Sequence, residues 1–156
     1  FNDSEGVLYA EIAALADDNT SRSIAISDGT NSERVLLHYY TASNVVRAFC
    51  ANGGSSLTIS YTLTDITDFA KLCFKYKSGD YALWVNGTEV GTKTNTFAPT
   101  GLNELAFDNG SGGSDFYGNV KAVAVFKEAL TDAELENLTS WVSFTQMATD
   151  LEYTLE

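Results

Sequence analysis

A chain of 156 residues, 44% of them hydrophobic, can bury one sizeable core and is too short for two ordinary domains, so residues 1–156 are read as a single domain. The formal net charge of -12 disfavours phosphate backbones and anionic lipid surfaces, which argues against nucleic acid and membrane as partners and leaves neutral ligands open. No run approaches the roughly 20 apolar residues of a bilayer span and the N-terminus lacks the pattern of a signal peptide, so no membrane insertion is expected, and an exported form would already have lost its leader.

Short alternating or β-branched runs follow one another along the chain. Strands are expected over 6–15, 22–27, 35–41, 45–51, 56–64, 69–76, 81–90, 102–107 and 117–127. Within them two faces separate, as where Leu57, Ile59, Tyr61 and Leu63 alternate with Thr58, Ser60, Thr62 and Thr64. Between them stand Asp28-Gly29, Asn52-Gly53-Gly54, Ser78-Gly79, Asn86-Gly87 and Asn109-Gly110, whose residues tolerate the positive φ of tight reversals. The single proline, Pro99, falls in a polar stretch suited to a connection. Many short strands of this kind predict an all-β fold, a two-sheet antiparallel sandwich of jelly-roll type.

One helix is expected near the C-terminus. Thr131 and Glu134 have capping-box spacing, and Leu130, Leu135 and Leu138 supply an apolar stripe. Beyond it, Trp141, Phe144, Met147 and Leu151 could form one side of a short helix and 151–155 a terminal strand packed on the domain. Cys50 and Cys73 both fall inside strands and lack zinc-site spacing; two buried thiols are the expected state, a single bridge the alternative. Five Asn-x-Ser/Thr triplets, at Asn2, Asn19, Asn86, Asn109 and Asn137, arise readily in a chain of this composition and matter only in a glycosylating host.

Three segments together carry a resemblance. They are the hairpin from Lys71 to Val90 with Val85-Asn86-Gly87 in its second strand, the Phe116-x-Gly118-x-Val120 motif, and the strand that runs into Ala129-Leu130-Thr131-Asp132-Ala133-Glu134. In them the chain resembles the laminin-G-like jelly rolls of the concanavalin A-like lectin and glucanase superfamily over most of 5–139. The closing run, 138–148 with Leu151-x-Tyr153-Thr154, looks like versions found at the ends of bacteriophage virion and tail-associated proteins. The resemblance implies two sheets packed face to face, with a concave outer surface and rim loops that bind glycans in many relatives. It also implies an extracellular or virion-surface location. Calcium-holding relatives often place an acid directly after, or two positions after, the apolar residue of the Phe-x-Gly-x motif. Lys121 and Ala122 stand there, so no metal or other cofactor is expected, and structural calcium is the disfavoured alternative; Asp3, Glu5, Asp108 and Asp115 are the remaining oxygen donors, without calcium-loop spacing.

Catalysis is not expected either. Glycosidases on this fold present two carboxylates from one strand, with separations of about 5 to 5.5 Å in retaining enzymes. The acids here fall mainly in turns (Asp17, Asp18, Asp28, Asp65, Asp80) or on the helix (Asp132, Glu134, Glu136), and Glu11 on the first strand reads as an isolated solvated residue. With one histidine and no Gly-x-Ser-x-Gly elbow, a serine hydrolase lacks its parts.

For sugar binding, aromatic faces and forked polar groups must share one surface. Strand alternation puts His38 and Tyr40 on one face and Arg47 with Phe49 on one face of the next strand, while Lys75 and Trp84 alternate away from the apolar sets Leu72/Phe74/Tyr76 and Leu83/Val85 that should form the core. One patch of His38, Tyr40, Arg47, Lys75 and Trp84 is therefore the expected site, with Asp108 and Asn109 of the Gly-rich loop as a rim alternative. The expected function is a non-catalytic carbohydrate-binding module that attaches a larger phage structural or secreted protein, or a multivalent assembly, to glycans or polysaccharide. A structural or protein-interaction virion domain without sugar binding is the alternative.

Overall fold

The computed structural model describes residues 1–140, and the readings made for 141–156 lie outside the described residues. Ten strands and one helix follow in chain order: β1 (Glu5–Ala14), β2 (Arg22–Ser27), β3 (Glu33–Tyr39), β4 (Val45–Asn52), β5 (Ser55–Thr62), β6 (Ala70–Lys77), β7 (Tyr81–Val85), β8 (Thr88–Lys93), β9 (Glu104–Ala106), β10 (Gly118–Phe126) and α1 (Asp132–Ser140). They form two antiparallel five-stranded sheets, β10-β1-β6-β7-β8 and β5-β4-β3-β2-β9, as the all-β sandwich reading anticipated.

The run 81–90, expected as one strand, is two. Asn86 (φ 47°) and Gly87 (φ 83°) turn the chain back between β7 and β8, and two consecutive positive-φ residues match the twist of a tight hairpin.

Alternation decides what lies between the sheets. Leu8, Ile12, Leu72, Phe74, Tyr76 and Leu83 point inward from one sheet and meet Ile24, Ile26, Val35, Leu37, Ala48 and Cys50 from the other. Removing this apolar surface from water is the main force holding the sandwich closed. Tyr39 lies in the same core and donates its hydroxyl to the Ile12 carbonyl at 3.0 Å, so its polar end is satisfied.

The first sheet is also covered on its outer side. Val7, Tyr9, Cys73, Ala82 and Trp84 form a second apolar cluster with Leu135 and Leu138 of α1, flanked by Leu130 and Phe126. The capping box forms as anticipated: the Thr131 N–H donates to Glu134 Oε2 at 2.7 Å, and the Glu134 N–H donates back to Thr131 Oγ1 at 3.4 Å. At the other end the Thr139 hydroxyl accepts from the Gly87 N–H at 2.9 Å, tying the helix to the β7–β8 turn. Cys50 and Cys73 are free, buried and in different layers, the former in the main core and the latter under α1. Burial pushes the Cys50 thiol up to about 12 and raises that of Cys73 well above its ordinary value.

Candidate functional site

The structure divides the patch expected from sequence. Trp84 and Lys75 sit on the outer face of β10-β1-β6-β7-β8, whereas His38, Tyr40 and Arg47 sit on the outer face of the opposite sheet. Trp84 is 7% exposed beneath α1, and Lys75 is 5% exposed. The Lys75 ammonium pairs with Asp80 at 3.0 Å and with Asp132 at 3.3 Å. Burial alone would lower its pKa, but the hydrogen bonds and charges of the two carboxylates outweigh that and raise it. The aromatic and the cation are thus both engaged within the domain. Glu11 also differs from its sequence reading: it is buried, and Lys121 pairs with it at 3.2 Å.

The other three expected residues stay together and gain neighbours. Cross-strand register sets Ser23 of β2 against His38 of β3, His38 against Arg47 of β4, and Arg47 against Ser60 of β5. The next outward row runs through Ala25, Leu36, Phe49 and Thr58. Arg34, two residues before Leu36, shares that outward face. Apart from Ala25 and Ser60, these side chains line an open pocket of about 240 Å³.

Its wall is the Gly-rich loop 108–115. The Phe116 N–H donates to the Phe107 carbonyl at 2.8 Å and closes the base of the loop, and the Ser23 N–H donates to the Ser114 carbonyl at 2.9 Å. Gly110 (φ 85°) lies so close to β2 that a Cβ there would come within 2.7 Å of Ser27 Cβ. The loop and the strand face, weighed separately in the sequence, therefore make one site. Asn109 lines it, but its side-chain oxygen accepts from the amides of Ser111 and Gly113 and is committed to the loop. Asp108 does not line the pocket; its carboxylate accepts from the Gly110 N–H at 2.6 Å.

The electrostatics of the pocket are cationic and incompletely paired. Arg47 lies 3.2 Å above the Tyr40 ring centroid, and Arg34 lies 5.2 Å from that of Phe49. Arg34 Nη1 donates to the Asn109 carbonyl at 2.7 Å, fixing one side of its fork on the loop. His38 meets Tyr40 edge-on at 5.8 Å. Burial first, then the charges of Arg47 and Arg34, hold its pKa down to about 4, so the imidazole is neutral at physiological pH. Hydrogen bonding to Arg47 lowers the pKa of the Tyr40 phenol. Among the described residues, His38 Nε2 and the Nε atoms of Arg34 and Arg47 are buried without a hydrogen-bond partner.

Two other surface recesses differ in kind. A cleft of about 390 Å³ beside Tyr61 and Phe69 holds Asp65 and Asp68, and a groove of about 640 Å³ along Lys75, Lys77 and Lys93 also carries Asp80, Glu89 and Asp132. Among the described residues, the arginine pocket has no acid in its lining.

Arg34 was missed because the third strand was expected to start at Val35. Carrying the outward alternation of Leu36 and His38 back by one step would have found it.

Residues 11–136 match the family model described as the concanavalin A-like lectin/glucanases superfamily, in its laminin G form. The chain belongs to this superfamily. No curated protein matches it significantly by sequence. Among solved structures, the superfamily domain is similar to the IT-sialidase CBM40 of Ruminococcus gnavus bound to α2,3-sialyllactose, with a TM-score of 0.72 at 17% identity over 88% of this chain and 84% of that one. The leech intramolecular trans-sialidase gives a TM-score of 0.71 at 14% identity; the match covers 92% of this chain but 24% of that enzyme. Mouse laminin α1 domains LG4-5 give 0.60 at 12% identity, covering 83% of this chain and 38% of that one. At these identities the likeness establishes a fold shared with carbohydrate-binding modules and laminin G domains.

Proposed function

We propose that this superfamily domain is a non-catalytic carbohydrate-binding module whose site is the pocket on the outer face of β5-β4-β3-β2-β9. The observation that carries the reading is the pocket itself. Phe49 and Leu36 give an apolar floor, Ser23, Thr58 and Asn109 give polar edges, and His38, Arg34 and Arg47 bring unpaired nitrogens to the same place. Sugars need this combination, an apolar surface for their C–H patches and convergent polar groups for their hydroxyls. The fold shared with a sialyllactose-bound module lends support.

The lining supports a non-catalytic reading. Hydrolysis of a glycosidic bond typically uses two flanking carboxylates, and among the described residues no carboxylate lines this pocket. No metal is assigned a role: Asp3, one of the oxygen donors considered from sequence, accepts from the amides of Gly101 and Leu102 at 2.7 and 2.9 Å, and Glu5 pairs with Lys77. A shallow pocket of this size gives weak single-site affinity, which suits a module repeated on a particle or attached to a larger phage structural or secreted protein at a virion or extracellular surface.

A glycan array followed by calorimetric titration tests the reading. Binding is expected for the wild type, and Phe49→Ala should weaken it about tenfold, roughly 1.4 kcal/mol. Silence across a broad array of neutral and acidic glycans would favour a structural or protein-interaction role instead.

A further inference from the structure

We propose that the pocket seats the acidic group of an anionic saccharide between the guanidiniums of Arg34 and Arg47; this rests on the carbohydrate reading above and names the class of sugar.

The argument begins with the cations. The protein has nine lysines and arginines against 21 acids; among the described residues Lys71, Lys93 and Lys127 also have no ion-pair partner, so what sets Arg34 and Arg47 apart is that both line one pocket and keep a buried nitrogen there. Arg22 pairs with Asp18, Lys75 with Asp80 and Asp132, Lys77 with Glu5, and Lys121 with Glu11. Among the described residues no carboxylate pairs with Arg34 or Arg47, although both line one pocket and each keeps a buried Nε without a partner. Buried polar groups are normally satisfied, so two such guanidiniums at one opening point to an acceptor supplied from outside. A guanidinium fork matches a carboxylate in two parallel hydrogen bonds, and neutral hydroxyls exploit that geometry less well.

The surroundings fit the same class. Arg47 lies against Tyr40 and Arg34 is anchored on the Asn109 carbonyl, so both heads are held in place before a ligand arrives. His38, opposite Arg47 in the register and within reach of both arginine charges, lines the same pocket with Nε2 unpartnered, available to a hydroxyl of the same sugar residue. A volume of about 240 Å³ suits one sugar residue of a longer glycan. The net charge of -12 does not oppose this, because charges beyond about 8 Å are largely screened at physiological ionic strength and the local field at the pocket is that of two arginines. The net charge would slow the encounter, not set the contact.

Calorimetric titration with four probes tests it: 3′-sialyllactose and digalacturonate for a carboxylate, 3′-sulfolactose for a sulfate, and lactose as the neutral core. At least one acidic probe should bind about tenfold or more tightly than lactose. That advantage should shrink in about 0.5 M NaCl and disappear in Arg47→Gln. Arg34→Gln could loosen the loop through the lost Asn109 contact, so Arg34→Lys is paired with it: it keeps the charge, loses the fork, and should bind the acidic probe less well than the wild type with an unchanged thermal midpoint. Preference for 3′-sulfolactose would make the acidic group a sulfate, at the same arginines. Lactose binding as tightly as every acidic probe, with Arg47→Gln unaffected, would overturn the inference and leave the carbohydrate reading standing. Silence with all four probes, and with a broad glycan array, would overturn both.

Discussion

The two outer faces of the sandwich start from similar ingredients and end in opposite states. On β6 and β7 an aromatic and a cation, Trp84 and Lys75, lie next to a helix; on β3 and β4 Phe49, Arg34 and Arg47, with Tyr40 just past the end of β3, lie next to a loop. The helix brings Leu135 and Leu138 onto Trp84, and Asp132 joins Asp80 on Lys75, so that face is dry and charge-compensated. The loop brings the Asn109 carbonyl to Arg34, and among the described residues no acid pairs with either arginine. Residue type alone therefore does not distinguish a binding surface from a second core. What the neighbouring connection adds to the sheet does.

The sharpest way to break this contrast is Trp84→Ala. Removing a large aromatic from a closed apolar cluster should cost about 3–5 kcal/mol in urea unfolding, while the folded fraction keeps its glycan affinity. Loss of binding in a variant still folded would return Trp84 to the site.

A second test uses the only histidine in the chain. Its pKa is held at about 4 in the fold against an ordinary value of 6.5, so the unfolded chain takes up a proton that the folded one refuses. The contribution of neutral His38 is complete above pH 6.5 and is lost as the pH falls through about 4, by as much as about 3 kcal/mol. His38→Gln should flatten the fall in unfolding free energy across that window. Ordinary carboxylates titrate in both proteins, so the difference between the two curves is the quantity to read, and parallel curves would remove the buried-imidazole account.

The smallest effect expected is at the capping box. Thr131→Ala should cost about 1 kcal/mol and speed hydrogen exchange in α1 and over Trp84, leaving the β3–β4 face unchanged. Equal acceleration on both faces would mean that the two are not independent.

The inward residues were legible because strand alternation is local: Leu72, Phe74, Leu83 and Val85 were assigned to the core and are there. His38, Tyr40 and Arg47 were legible for the same reason, as outward residues on adjacent strands. Trp84 was misplaced because alternation says which side a residue faces and not what covers that side. A signal of cover was present nonetheless. Tyr81-Ala-Leu-Trp-Val85 and the run Val7-Leu-Tyr-Ala10 contain no charged residue on either face, as strands buried on both sides do. Strand β5, with Ser56, Thr58, Ser60 and Thr62 on one side, reads as half-exposed and is.

By itself the sequence determined most of the strands, their inward faces and the helix cap, because each depends on residues within a few positions of one another, and it pointed to the superfamily through local motifs; within 81–90 it signalled the Asn86-Gly87 turn without separating β7 from β8. Only the tertiary structure decided that Trp84 belongs to a second core and that Lys75 pairs with Asp80 and Asp132, that Arg34 joins Arg47 and His38, and that loop 108–115 walls their pocket. Those outcomes depend on which sheet each strand enters and where connections far apart in the chain come to rest. Alternation along a strand carries no information about either.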